Sequence, residues 1–230
     1  MPIIEDAEFG NITVRRSAKA SHVRIRVAPN GTLRASLPLY APLFVVKRLI
    51  KNSRKELQQM LLEHHGETHY EAGMQIGKSH SLIVRNDATS LSVKRHGQQI
   101  VLTLPTENTL NDNEVASVLR PVIISALRLE AKSYLPKRLS YLAKNGNFSY
   151  DSVRFSHASG RWGSCSSNGT ISLNIALMKL PFELIDYVLV HELSHTVHMN
   201  HSEEFWELVS SGDPAYRIHR RDLKKETPSI

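Results

Sequence analysis

The stretch His191-Glu192-Leu193-Ser194-His195, followed after five residues by His201, decides how this chain is read. Residues four apart on an α-helix stack on one face, so a helix here aims the imidazoles of His191 and His195 at one point. Glu192 is rotated by about a quarter turn from His191, near enough to reach a water held beside the imidazoles without being a ligand itself. Three neutral nitrogen donors and an adjacent carboxylate are the makings of a catalytic zinc site, in which one position stays open for water. Glu192 is then placed as the general base.

The third donor is argued from distance. His198 shares the helical face, but at about 1.5 Å of rise per residue it lies roughly 10 Å along the axis from His191, too far for one ion to bind both. His201 is the better donor if the helix stops near Met199 or Asn200 and the chain folds back, and Asn tolerates the left-handed conformation that ends helices. Glu203, Glu204 and Glu207 are rival carboxylate donors; on a following helix they read as solvated charges. The helix itself is signalled by Pro181 at a first helical position, Glu183 in the first turn, and apolar Leu184, Val188 and Leu189 at helical spacing.

With 230 residues, 41% of them hydrophobic, the chain has material for one large domain or two small ones. It lacks an apolar run of about eighteen residues, and its first ten residues are acidic without the basic and apolar regions of a signal peptide, so the expectation is a cytoplasmic protein with no membrane partner. The single cysteine, Cys165, excludes an internal disulfide and a multi-cysteine zinc site; as a histidine-paired nucleophile it is less favoured than as a small buried strand residue. Metal chemistry falls to histidine.

The net charge of +7 is unevenly spread: residues 1–100 hold fifteen Lys or Arg against eight Asp or Glu, and residues 101–230 hold fourteen of each. Arg15, Arg16, Lys19, Arg24, Arg26 and Arg34 fall in a strand-like region, and Lys47, Arg48, Lys51, Arg54 and Lys55 in a helix-like one. Such a surface would attract an anionic partner, whether nucleic acid, nucleotide or acidic peptide, although few aromatics interleave it for base stacking.

The pattern along the chain predicts an α+β fold. Val23 to Val27 alternates with period two, and Thr32 to Leu37 resumes after Pro29-Asn30-Gly31, which reads as a hairpin with one apolar and one basic face. A helix is expected over 42–64, followed by His64, His65 and His69 as solvent-exposed loop histidines, and short strands over 74–104. Residues 112–144 read as the longest helix, kinked or divided at Pro121 and Pro136. A strand near Ser152 to Ser156 and a hairpin turning at Asn168-Gly169 lead into the metal helix. No internal repeat is evident. A compositional boundary near 105 suggests a β-rich basic lobe over 1–105, containing a helix, and a second lobe over 106–230 that holds the metal site.

Arg161-Trp162-Gly163-Ser164-Cys165, Asn174, Asp186-Tyr187-Val188, His201-Ser202 and Phe205-Trp206 together resemble the YgjP-like (DUF45) metallopeptidase-domain family; Val14-Arg15-Arg16-Ser17 is similar too, so the likeness covers most of the chain. More distantly the spacing resembles SprT-like and WLM proteases. The resemblance implies a zincin-like catalytic domain, zinc bound by His191, His195 and His201, Glu192 as catalytic base, and an edge strand within 161–175 against which an extended substrate could lie. Metzincins differ: they carry a glycine where this chain has His198, and no Met-turn follows here.

The leading expectation is therefore a zinc-dependent metallohydrolase acting on a peptide or protein substrate, with Arg161 and Tyr216 as candidate oxyanion or substrate contacts. Two alternatives stand beside it. One is a nucleotide pyrophosphatase or phosphohydrolase that uses the same water on a phosphoanhydride, and the other a nucleic-acid-associated protease of SprT-like type.

Overall fold

Alternating apolar and polar side chains build the first sheet. Strands β1 (Ile3–Asp6), β2 (Gly10–Arg16), β3 (Arg24–Val27) and β4 (Leu33–Leu37) lie in the order β1-β2-β4-β3, with β2 parallel to β4 and the outer pairs antiparallel. Ile12, Val14, Leu33, Ala35 and Leu37 turn to one face and are buried with Val46 and Ile50 of α1 (Leu43–Asn52) and Leu57 of α2 (Arg54–His64). The one helix expected over 42–64 is thus two, parted at Ser53, where the backbone leaves helical geometry at φ −111°, ψ 27°. Arg54, opening α2, bonds Asp6 at 2.9 Å and also pairs with Glu8, which ties the helix to the β1–β2 turn.

The computed structural model describes every residue except 1, 19, 29–31, 65–69, 87–89, 111 and 159, together with the side chains of 62–64 and 113. The turn at Pro29-Asn30-Gly31 and the side chains of His64, His65 and His69 therefore lie outside the described residues.

A second sheet follows the same plan. Strands β5 (Gln75–Ile76), β6 (His80–Asn86), β7 (Ser92–His96) and β8 (Gln99–Leu104) lie in the order β5-β6-β8-β7, again with the central pair parallel and the outer pairs antiparallel. Its apolar face, including Leu82, Ile100 and Leu102, shares one buried cluster with Leu119, Leu127 and Leu135 of α3 (Asn113–Asn145). This cluster also takes in residues from the metal-helix region, which is why the chain parts into compact units at Met1–Thr68 and His69–Ile230 and not near 105. The two sheets share one strand order although no internal repeat is evident in the sequence, where the likeness is limited to matching apolar alternation and the strand endings Leu37-Pro38 and Leu104-Pro105.

Helix α3 runs unbroken through Pro121 and Pro136. Each proline removes one backbone bond, but a buried stripe of Val115, Leu119, Leu127, Ala131, Leu135 and Leu139 seats the helix along its whole length. Glu130, on this helix, is buried and accepts hydrogen bonds from the N–H groups of Lys78 (2.6 Å), Ser79 (2.9 Å) and His80 (3.1 Å), and from His80 Nδ1 at 2.6 Å. Burial pushes its carboxyl up, but these bonds outweigh it and hold the group below its ordinary value of 4.5. A carboxyl lowered on folding contributes stability above that value, and the contribution is lost as pH falls through the folded pKa. Glu130→Gln leaves donors facing an amide, so thermal and urea unfolding at pH 7 should show a loss of about 1–3 kcal/mol. Parent and variant should converge in acid, and parallel pH–stability curves would rule this out.

Strands β9 (Ser152–Ser156), β10 (Gly163–Cys165) and β11 (Thr170–Asn174) form a third sheet in the order β10-β11-β9, with β10 at its edge. The β10–β11 turn closes at Gly169, whose φ of +78° suits a residue without a Cβ. After a 3-10 turn at Ile175–Lys179 comes α4 (Phe182–Ser194), buried on most sides through Ile185, Tyr187, Val188, Leu189 and Leu193. Arg138 of α3 grips Asp186 of α4 through two bonds of 2.8 and 2.6 Å. Helices α5 (Glu203–Gly212) and α6 (Tyr216–Leu223) complete an α+β fold. Among the described residues no helix is long and apolar enough to cross a membrane.

Candidate metal centre

His191 lies in the last turn of α4 and His195 caps it, so the two rings stand one turn apart, 4.9 Å between centroids. The helix ends at Ser194, five or six residues before the expected stop. Two hydroxyls claim carbonyls of its last turns: Ser194 Oγ donates to Val190 O at 2.9 Å and Thr196 Oγ1 to Leu193 O at 2.7 Å. Tight turns then carry the backbone away, with Val197 N–H and His198 N–H both bonding Ser194 O. The earlier stop still brings His201 back, its ring 5.1 Å from that of His191 and 4.8 Å from that of His195.

One nitrogen from each of the three imidazoles lies within 4.8 Å of the others. His191 Nε2 and His201 Nε2 stand 3.2 Å apart. Two ligands at about 2.0–2.1 Å from a tetrahedral zinc are separated by about 3.3–3.4 Å, so this spacing fits such an ion. His195 Nδ1 bonds the main-chain oxygen of His198 at 3.0 Å, which leaves Nε2 as the free lone pair of the neutral ring. His191 is pushed down to about 3 by burial first, then by His195, His201 and Arg220, and His201 is lowered by burial, His195 and Arg220. Neutral imidazoles are the form a metal ion takes. His198, set aside as a ligand from the sequence, serves through its backbone carbonyl.

Phe205, wholly buried, packs its ring 5.0, 4.6 and 4.8 Å from those of His191, His195 and His201, an apolar floor under all three. Trp206 stacks on His201 at 5.5 Å and on Tyr216 at 5.6 Å. Tyr216 is therefore near the cluster, and its hydroxyl accepts a bond from Arg217 Nε at 3.2 Å. Arg161 is exposed, and its charge acts on Glu192. Cys165 is raised by burial and then by the negative charge of Glu192, which makes its thiolate scarce.

Glu192 is 5% exposed, and its Oε2 has no hydrogen-bond partner among the described residues. Burial pushes its carboxyl up to about 8 against a smaller lowering by Arg161. Gly163 on the edge strand β10 touches it. A Cβ at that position would stand 2.5, 2.7 and 2.8 Å from Glu192 Oε1, Cγ and Cδ, closer than packed atoms allow. The sequence offers Gly163 only as part of a motif, and this contact is invisible before the sheet and helix are docked. Asn174 in the same motif is a structural pin, donating to Ala158 O (2.7 Å) and Arg161 O (2.9 Å) and capping the 3-10 turn. Sequence reasoning also missed Arg220, whose guanidinium lies 4.4 Å above Trp206, and the pair of His219 and Asp213, 2.7 Å apart, beside Tyr187.

The YgjP-like metallopeptidase domain family matches residues 21–226. The chain belongs to the YgjP-like metallopeptidase family. A metal ion is implied for such a protein, and the three histidines are placed to bind one. Among solved structures, the crystal structure of the metallopeptidase zymogen of Pyrococcus abyssi abylysin aligns at 28% identity, with 39% of this chain and 92% of that chain covered and a TM-score of 0.35. No curated protein matches the sequence.

The Gly163 contact makes a prediction. Gly163→Ala leaves all three imidazoles in place and displaces the Glu192 carboxylate, so kcat should fall about 10²-fold, the effect of a misplacement on the scale of an ångström, while metal content stays unchanged. Activity within threefold of the parent would show that the contact has no bearing on the reaction.

Proposed function

We propose that this protein is a zinc-dependent metallopeptidase with a zincin-like catalytic site. The observation that carries the reading is the convergence of His191, His195 and His201 beside the buried carboxylate of Glu192, whose Oε2 has no hydrogen-bond partner among the described residues. His191, His195 and His201 would hold the ion; zinc in that position supplies Lewis acidity, bringing the pKa of a water towards neutrality and polarising a scissile carbonyl.

The chain's own residues do the rest. Glu192, in the ionised form that the charge of a cation held by the three histidines would favour, takes the proton of the attacking water and returns it to the leaving amine as the peptide C–N bond breaks. Its buried setting keeps the transfer away from bulk water. The open edge of β10 offers main-chain groups to an extended substrate as an added antiparallel strand, passing Gly163 and so Glu192. In this reading Arg161, exposed and close enough to influence Glu192, contacts the substrate carbonyl, and Tyr216 contributes a wall through its ring.

A substrate comparison tests the proposal. Zinc-loaded protein is incubated separately with a denatured protein and with nucleoside triphosphates, with Glu192→Gln in parallel. New amino termini from the first and no phosphate or pyrophosphate from the second are expected. Phosphate release without peptide cleavage would replace the peptidase reading with that of a nucleotide hydrolase.

A further inference from the structure

The two four-stranded sheets have the same order, the same strand directions and the same register. Aligned on Leu37 and Leu104, the strand pairings put Arg15 at the position of Arg85, Ser36 at that of Thr103, and Arg26 at that of Lys94. Both sheets bury the alternate residues, Val14, Ala35 and Leu37 in the first and Leu102 and Leu104 in the second. What repeats, therefore, is also an outward face, and in both copies that face is basic.

In the first sheet this face carries Arg15, Arg24, Arg26 and Arg34, all exposed, with Thr13 and Ser36 between them. Arg26 stands directly across from Arg34, an arrangement of like charges that weakens a sheet unless something neutralises it. Among the described residues none of the four makes an ion pair; Glu5, at the far edge on β1, is the one described acid on the face. Arg24 is steadied by its Nε, which donates to His22 Nε2 at 2.7 Å and leaves its terminal nitrogens open. A cleft of about 280 Å³ opens here, lined by Ser21, His22, Arg24, Arg26 and Ser36 among others. In the second sheet the equivalent cleft, about 460 Å³, is lined by Arg85, Ser92, Lys94, His96 and Thr103 among others.

We infer that the chain contains a duplicated four-stranded module, and that each copy uses its outward face to bind the phosphodiester backbone of duplex nucleic acid. Arginine forks and serine or threonine hydroxyls are the groups that contact phosphate oxygens. The faces carry no Phe, Tyr or Trp among the described residues, so they lack the stacking platforms that single strands require. The charge of the first unit agrees: residues 1–68 hold eleven Lys or Arg against six Asp or Glu. Binding of this kind is independent of base sequence.

The test is fluorescence anisotropy of a labelled 20-base-pair DNA duplex, and of one of its single strands, against the full chain across a salt series. At about −0.9 per phosphate, the four cations of the first face predict a slope of log K against log salt of about −3 to −4 and the two of the second about −2. Replacing Arg15, Arg24, Arg26 and Arg34 by Gln should weaken duplex binding more than tenfold and flatten the slope by about 3–4. Replacing Lys47, Arg48, Lys51 and Lys55 by Gln removes the same charge from the helices and should change binding less than threefold. Replacing Arg85 and Lys94 should flatten the slope by about 2. If the fourfold face variant fails to fold by circular dichroism, Arg26→Gln and Arg34→Gln singly should each flatten the slope by about 1. Equal losses in face and helix variants, tighter binding of the single strand, or no duplex binding at 50 mM salt would overturn the inference. None of these readouts depends on hydrolysis.

Discussion

Glu192→Gln should lower peptide hydrolysis by about 10²–10⁴-fold, the range that a positioned acid–base group contributes, while the protein keeps one zinc per chain. The amide is nearly isosteric with the carboxylate, so the contact with Gly163 and the packing of α4 are retained. What it lacks is a site for the water proton. Because Glu192 is almost wholly buried, no neighbouring acid can substitute for it: Glu203 and Glu204, at the start of α5, are exposed. The measurement is kcat for the zinc-loaded variant beside its zinc content by mass spectrometry. Loss of zinc together with activity would mean that Glu192 is a ligand or a structural residue and not the base.

Removing the loop histidine should have a still larger effect. His201→Ala takes one of three nitrogen donors from the cluster but leaves α4, the floor made by Phe205 and the core intact, since His201 is exposed while Phe205 is wholly buried. Zinc content after dialysis should drop to less than a tenth of the parent's and hydrolysis to background, with an unchanged circular dichroism spectrum. His198→Ala provides the contrast. Only the main-chain oxygen of His198 meets His195, so this variant should keep its zinc and most of its activity. If His198→Ala loses zinc and His201→Ala keeps it, the assignment of the third donor is reversed.

How much of this was legible in the sequence depended on the range of each interaction. His191 and His195 are four residues apart, so helical geometry alone places them together. His201 required a chain reversal whose existence was foreseeable and whose position was not: the hydroxyls of Ser194 and Thr196 end the helix earlier than Asn200 suggested. The contact between Gly163 and Glu192 joins residues far apart in the chain through a docked strand and helix, and no local pattern encodes it. The boundary near 105 followed composition, whereas the compact units follow the core shared by the second sheet, α3 and α4. The basic face of the first sheet was visible as alternation. That it recurs in the second sheet became visible only with the register, because a parallel central pair brings together strands that are not neighbours in sequence.

The most direct test of the central claim is a zinc titration of peptide hydrolysis. Chelator-stripped protein receives zinc in steps, and new amino termini released from a denatured protein are counted at each step. The account predicts no cleavage without metal, a linear rise that saturates at one zinc per chain, and a flat line for Glu192→Gln throughout. Cleavage by the stripped protein at the full rate, or none at any zinc level with one ion bound, would contradict it.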